Sequence, residues 1–128
     1  MSVHVLRGLL MDTENYEGTA VLGLGKEIGK GAEILAEKLL DLLEEHGETW
    51  SVRYFITEEQ KSPDELDLAL AKVATGLADI DYHMWYSEIT GYLWTDEEIV
   101  VGGHDLLTEL MNYTGKWLHL EIEIEEAQ

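Results

Sequence analysis

The chain has 128 residues, 27 Asp or Glu against 8 Lys or Arg, one Pro and no Cys, with 45% hydrophobic residues and a formal charge of −19. That length and apolar content suffice for a single α+β domain spanning 1–128 with its own core, and the missing cysteines exclude disulfides, thiolate nucleophiles and Cys-ligated zinc. The charge repels phosphate within the roughly 8 Å screening length of physiological salt, which argues strongly against direct nucleic-acid binding; no apolar run of about 18 residues and no basic-then-apolar leader is present, so the reading is cytoplasmic, without a membrane span or secretory signal.

The acid is unevenly spread, with 13 acidic and 6 basic side chains in residues 1–64 and 14 against 2 in residues 65–128. Glu outnumbers Asp 19 to 8 and the core residues are ordinary and Leu-rich, which argues against adaptation to high salt. Four Trp and a periodic apolar pattern exclude disorder.

In chain order, Ser2 to Met11 and Thr19 to Leu24 read as a hairpin joined by the acidic turn Asp12 to Gly18. From Gly31 the apolar spacing becomes helical, with Ala32, Leu35, Ala36, Leu39, Leu42 and Leu43 on one face, predicting a first helix over Gly31 to His46 closed by Gly47. Thr49 to Thr57 is β-branched and aromatic and predicts a strand. Ser62-Pro63-Asp64-Glu65 then supplies an N-cap, a Pro at the first helical position and a Glu at the third, predicting a second helix that buries Leu66, Leu70, Val73 and Leu77. Tyr82 to Thr90 and Gly91 to Val101 read as strands, the second with a fold-back candidate at Thr95-Asp96-Glu97. Gly102-Gly103-His104-Asp105 opens a short third helix that Gly115 closes. The last strand, Lys116 to Glu125, alternates strictly, with Leu118, Leu120, Ile122 and Ile124 on one face and Trp117, His119, Glu121, Glu123 and Glu125 on the other. The order ββαβαββαβ predicts a mixed, largely antiparallel sheet of about five to seven strands with three helices packed mainly on one face. Helix, Gly, Trp and apolar strand occur at Leu42 to Ile56 and again at Leu110 to Ile124, an echo too faint to count as a repeat.

Little in the chain points to a reaction. The Gly-rich stretch Gly25 to Gly31, with Lys26 and Lys30, lies between a strand and a helix where an anion could sit, but its spacing fails both the P-loop and the dinucleotide fingerprint, so a flexible turn is the simpler reading. His4, His46, His83, His104 and His119 never pair at metal-ligand spacing, and no cofactor is implied. His83, Glu88 and His104, with Asp105, form the one constellation for a small ligand-binding or metal-dependent hydrolytic domain, against the simpler reading of packed, hydrogen-bonded histidines.

The acidic residues say more. Glu33, Glu37, Asp41, Glu44 and Glu45 recur every three or four positions along the first helix, and each like-charge i,i+4 pair costs about 0.2–0.5 kcal/mol. Glu121, Glu123 and Glu125 add a strand row at intervals of about 6.8 Å, and Asp96, Glu97 and Glu98 form a third group. A DNA strand carries a charge about every 3.4 Å, so imitation of nucleic acid requires two such elements side by side. Tyr92 and Trp94 belong to an aromatic cluster with Tyr82, Trp85 and Tyr86, suited to anchoring a protein partner as well as to a core.

Residues 86–124, centred on Gly91-Tyr92-Leu93-Trp94 and Gly102-Gly103-His104-Asp105-Leu106-Leu107, resemble small acidic proteins encoded by phages and prophages. That resemblance implies a setting in which compact acidic proteins block host nucleic-acid-binding enzymes, anti-CRISPR and other anti-defence proteins among them. The expected function is therefore a non-enzymatic inhibitor that presents carboxylates to a basic, nucleic-acid-binding host protein. An immunity protein against a nuclease toxin is the alternative closest in physics, and homodimerisation through a sheet edge stays open.

Overall fold

The computed structural model describes residues 2–14, 20–26, 32–86, 88–89 and 93–125. Among these residues eight strands and two helices follow one another as β1 (Ser2–Glu14), β2 (Ala20–Gly25), β3 (Glu33–Ile34), α1 (Leu35–His46), β4 (Thr49–Thr57), β5 (Lys72–Tyr86), β6 (Leu93–Val101), β7 (His104–Asp105), α2 (Leu106–Met111) and β8 (Trp117–Glu125). The strands form one sheet in the order β3-β2-β1-β8-β4-β5-β6-β7. The α+β class is as expected, while five to seven strands become eight and three helices become two. Every pairing among the described residues is antiparallel, so the sheet is not mixed. The reason is topological, since each helix carries the chain from an outer strand back to the centre, where β4 and β8 arrive antiparallel to both neighbours.

The second helix is the principal correction. Its start signals exist, with the Ser62 N–H donating to the Glu65 carboxylate at 3.3 Å, but they build only a 3₁₀ turn at Pro63–Glu65, followed by another at Leu68–Leu70. From Lys72 the chain becomes β5, because Lys72 to Leu77 pair with Tyr54 to Thr49 along β4 and that ladder outweighs local propensity. Leu70, Val73 and Leu77, expected in the core, are 75%, 63% and 63% exposed. Ser62→Ala thus removes a side chain from an exposed turn rather than from a helix N-terminus, and a urea titration is expected to show a change within about 0.5 kcal/mol. The first helix begins at Leu35 instead of Gly31 because Glu33 and Ile34 pair with Leu24 and Gly23. β6 runs straight through Thr95-Asp96-Glu97, the expected fold-back, held by its ladder to Met84, His83 and Tyr82.

The register reveals a symmetry that the sequence shows only as an echo. Residue n of β1 or β4 corresponds to residue n + 68 of β5 or β8: Ser2↔Ile124 and Leu9↔Trp117 in the β1–β8 ladder match the β4–β5 ladder, where Thr49↔Leu77 and Tyr54↔Lys72 have the same register. The central pair maps onto itself, with Thr49↔Glu125 turning into Thr57↔Trp117. The halves β1-β2-β3-α1-β4 and β5-β6-β7-α2-β8 are thus related by a pseudo-two-fold axis normal to the sheet, passing through the pair Arg53↔Glu121. Val5, Gly8 and Leu9 recur as Val73, Gly76 and Leu77. The glycines recur for a steric reason. A Cβ on Gly8 would stand 2.7 Å from the Gly25 carbonyl oxygen, and one on the equivalent Gly76, whose φ is +142°, 2.6 Å from the Cα of Gly102.

The core follows the same axis. Leu22, Leu24, Leu35, Ala36, Leu39, Val52 and Tyr54 have counterparts in Ile99, Val101, Leu106, Leu107, Leu110, Leu120 and Ile122, all buried in one cluster. Both helices add their buried residues to this cluster, so one face of the sheet is covered by helices. The other face carries Val3 and Val5 of β1, Glu121, Glu123 and Glu125 of β8, Thr49, Ser51 and Arg53 of β4, and Val73, Thr75 and Leu77 of β5. Among the described residues no helix is long and apolar enough to cross a membrane.

Candidate functional site

Strand alternation places Glu121, Glu123 and Glu125 on the helix-free face, as expected from the sequence. Glu121 sits at the pseudo-two-fold axis. Its carboxylate accepts from the Arg53 Nε–H at 2.9 Å and lies 3.0 Å from His119 Nε2. The His119 hydrogen bond, and then Arg53, hold Glu121 below the usual carboxylate range against an opposing effect of burial. An exact two-fold would set like side chains against each other at this position; divergence of the halves instead supplies Arg opposite Glu. His119, expected on a wet face, is 5% exposed, packs edge-on to Phe55 at 5.9 Å between ring centroids, and its Nδ1 meets no partner among the described residues.

Glu123 and Glu125 differ from Glu121. Their neighbours on β4 are Ser51 and Thr49, both short and uncharged, and both glutamates are exposed without an ion pair among the described residues. Asp79 on β5 and Glu98 on β6 extend the exposed acid of the same face.

The α1 stripe lies on the other side of the sheet. Glu33 pairs with Lys38, while Glu37, Asp41 and Glu44 are exposed and meet no cation among the described residues. A shallow groove is lined there by Glu33, Ile34, Glu37, Lys38 and Asp41. Because α1 buries Leu35, Ala36 and Leu39 against the covered face, its carboxylates and those of β8 cannot form one surface. The two acidic elements required for imitation of nucleic acid are therefore not α1 and β8.

Asp96, Glu97 and Glu98 occupy successive positions of β6 opposite His83, Tyr82 and Asp81. Trp94 stands opposite Trp85. The side chains of Trp94, Asp96, Glu97 and His83, and all of Tyr92, lie outside the described residues, as does most of the stretch from Gly25 to Gly31.

His83, Glu88 and His104 do not come together. His104 is paired with Val101 at the level of Ala78, and His83 lies five residues further along β5, about 17 Å at 3.4 Å per residue, with Glu88 beyond the strand's end. His104 Nε2 instead lies 3.0 Å from the Glu109 carboxylate, in a network that sequence reasoning missed. Lys72 Nζ donates to Glu109 at 2.6 Å and to the Tyr113 hydroxyl at 2.6 Å, and stands 4.7 Å from the centre of the Tyr113 ring. Burial and then the nearby Glu109 charge raise the buried Tyr54 hydroxyl to about 12. Lys72, first of all, holds Glu109 below the usual carboxylate range, and Glu109 in turn raises Lys72. Both carboxylate oxygens of Glu109 are engaged, so the network fastens α2 to β5 and offers no free base. No local spacing announces it, because Lys72 and Glu109 are 37 positions apart. Among the described residues no group of three His, Asp or Glu could hold a metal. Comparison with family models, curated proteins and solved structures gives no match.

Proposed function

We propose that the protein is a non-enzymatic inhibitor that occupies a basic, nucleic-acid-binding surface of a partner protein, with carboxylates standing where phosphates would. The observation that supports this reading is charge left uncompensated in place. Lys38, Arg53, Lys72 and Lys116 each meet an acid, and yet Glu123 and Glu125 stand exposed on a helix-free sheet face with no cation among the described residues. Asp79 and Glu98, exposed on the same face two and three strands from β8, extend this acid across the sheet. Such a surface suits cationic side chains and repels nucleic acid itself.

The test is capture of a partner on the immobilised protein, followed by competition. The expected partner binds DNA or RNA, nucleic acid displaces it, and its affinity falls at least about tenfold as salt rises from about 50 to 200 mM. Glu123→Gln with Glu125→Gln weakens the complex while leaving the melting temperature unchanged or higher, since like-charge repulsion is relieved. A complex indifferent to both salt and nucleic acid refutes the proposal.

A further inference from the structure

The pseudo-two-fold axis makes two ends of the helix-free face equivalent in backbone but not in cover. At the first end Leu9 is 7% exposed, and Phe55 and His119 are each 5% exposed. The segment joining the two halves lies there: the Arg7 guanidinium donates to the Lys61 carbonyl, and Gln60, Lys61 and Leu66 line a narrow cleft with Trp117 and His119. At the second end Leu77, the counterpart of Leu9, is 63% exposed, and Val73 beside it is equally exposed. The counterparts of Phe55, Thr57, Trp117, His119 and Arg7 are Glu123, Glu125, Thr49, Ser51 and Thr75. Aromatic side chains have given way to short hydroxyls along β4, bounded by two carboxylates on β8 and two apolar side chains on β5.

From this we infer that the second end is a docking trough for a basic, apolar-anchored segment of a partner protein. The inference rests on the inhibitor reading above and locates its contact. The occupant lies along β4 over Ser51 and Thr49, with lysines or arginines toward Glu123 and Glu125 and an apolar side chain against Leu77 and Val73. Charge decides against a second copy of this chain as the occupant. Face-to-face stacking would bring Glu123, Glu125, Asp79 and Glu98 of two molecules together, each molecule carrying −19. It also decides against nucleic acid, which has no use for the apolar side of the trough.

The experiment uses the full chain, labelled for NMR, and two synthetic peptides of twelve residues, one alternating Lys and Leu and one of Lys and Ser. The Lys/Leu peptide is expected to shift the amides of Thr49 to Ser51, Val73 to Leu77 and Glu123 to Glu125, and to bind at least tenfold more tightly than the Lys/Ser peptide. Leu77→Ser, at an exposed position whose change leaves the core intact by thermal melt, weakens Lys/Leu binding at least tenfold, and Glu123→Gln with Glu125→Gln does the same. Asp64→Asn with Glu65→Gln, an equal charge change in the exposed 3₁₀ turn, stays within twofold. Shifts that fall on α1 instead, or a Leu77→Ser variant that binds normally, overturn the trough while leaving the salt-sensitive, nucleic-acid-competed complex standing. A dimer in sedimentation that Leu77→Ser dissolves overturns it in favour of self-association. Loss of both the peptide effect and that complex removes the function reading as well.

Discussion

Trp50→Ala is expected to lower the unfolding free energy by about 3–5 kcal/mol, measured by urea denaturation at neutral pH. Trp50 is 1% exposed on β4, whose neighbours are the central strand β8 and the long strand β5, and its ring occupies the cluster shared with α1. The indole Nε1–H donates to the Gly47 carbonyl at 2.7 Å, just where α1 ends and the chain turns into β4. Truncation therefore leaves a large void and removes the tie between helix end and strand. The symmetry supplies a graded control. The counterpart of Trp50 is Leu118, also buried, so a leucine already fits that position in the other half, and Trp50→Leu is expected to cost distinctly less than Trp50→Ala. A loss below about 1 kcal/mol for Trp50→Ala would show that the indole is not packed as described.

Glu109→Gln is expected to cost about 1–3 kcal/mol at neutral pH and to change the pH dependence of stability. Glu109 has a folded value below its unfolded one, so its contribution is present above the ordinary carboxylate range and is lost as pH falls through the folded value. Lys72 and Tyr54 act at the other limb. Both are raised on folding, so the unfolded chain releases their protons first and stability declines as pH rises, for Tyr54 between about 10 and about 12. The rise at Tyr54 corresponds to an effect on the order of 3 kcal/mol, with burial its largest cause, which the variant keeps. Lys72 is half-exposed and its share is screened by water. The difference in stability between wild type and Glu109→Gln should thus be largest near neutral pH and shrink in acid, as the wild-type carboxylate becomes protonated. A difference that stays constant through the acid range would show that the network holds α2 by shape and not by charge.

Much of the fold is readable where one residue period has no competitor. β8 alternates without interruption, and Leu118, Leu120, Ile122 and Ile124 are buried as their spacing requires. α1 is readable from its leucines, apart from its first turn, where Glu33 and Ile34 join a sheet edge that only the arrival of β2 creates. The stretch Leu66 to Leu77 misleads because Leu66, Leu70, Val73 and Leu77 satisfy a helical spacing, while Val73, Thr75 and Leu77 satisfy a strand spacing equally well. Its fate depended on an open edge of β4, which lies outside any local window. The repeat eluded the sequence because its halves share few side chains: Val5, Gly8 and Leu9 with Val73, Gly76 and Leu77 are the traces, and what is conserved between the halves is backbone register and apolar volume.

The candidate surface divides along the same line. Which residues carry the acid, and how they are spaced along α1 and β8, follow from composition and from the two periods of 3.6 and 2, which act over a few residues. Whether those carboxylates share a surface is a question of distance in space. Topology answers it by setting α1 on the covered face and Glu123 and Glu125 on the open one. The contrast between Leu9, buried at the end where the joining segment lies, and Leu77, bare at the symmetry-related end, arises only once the two halves meet across Arg53 and Glu121. Burial is a property of what packs over a residue, and for both leucines that is decided by chain distant in sequence.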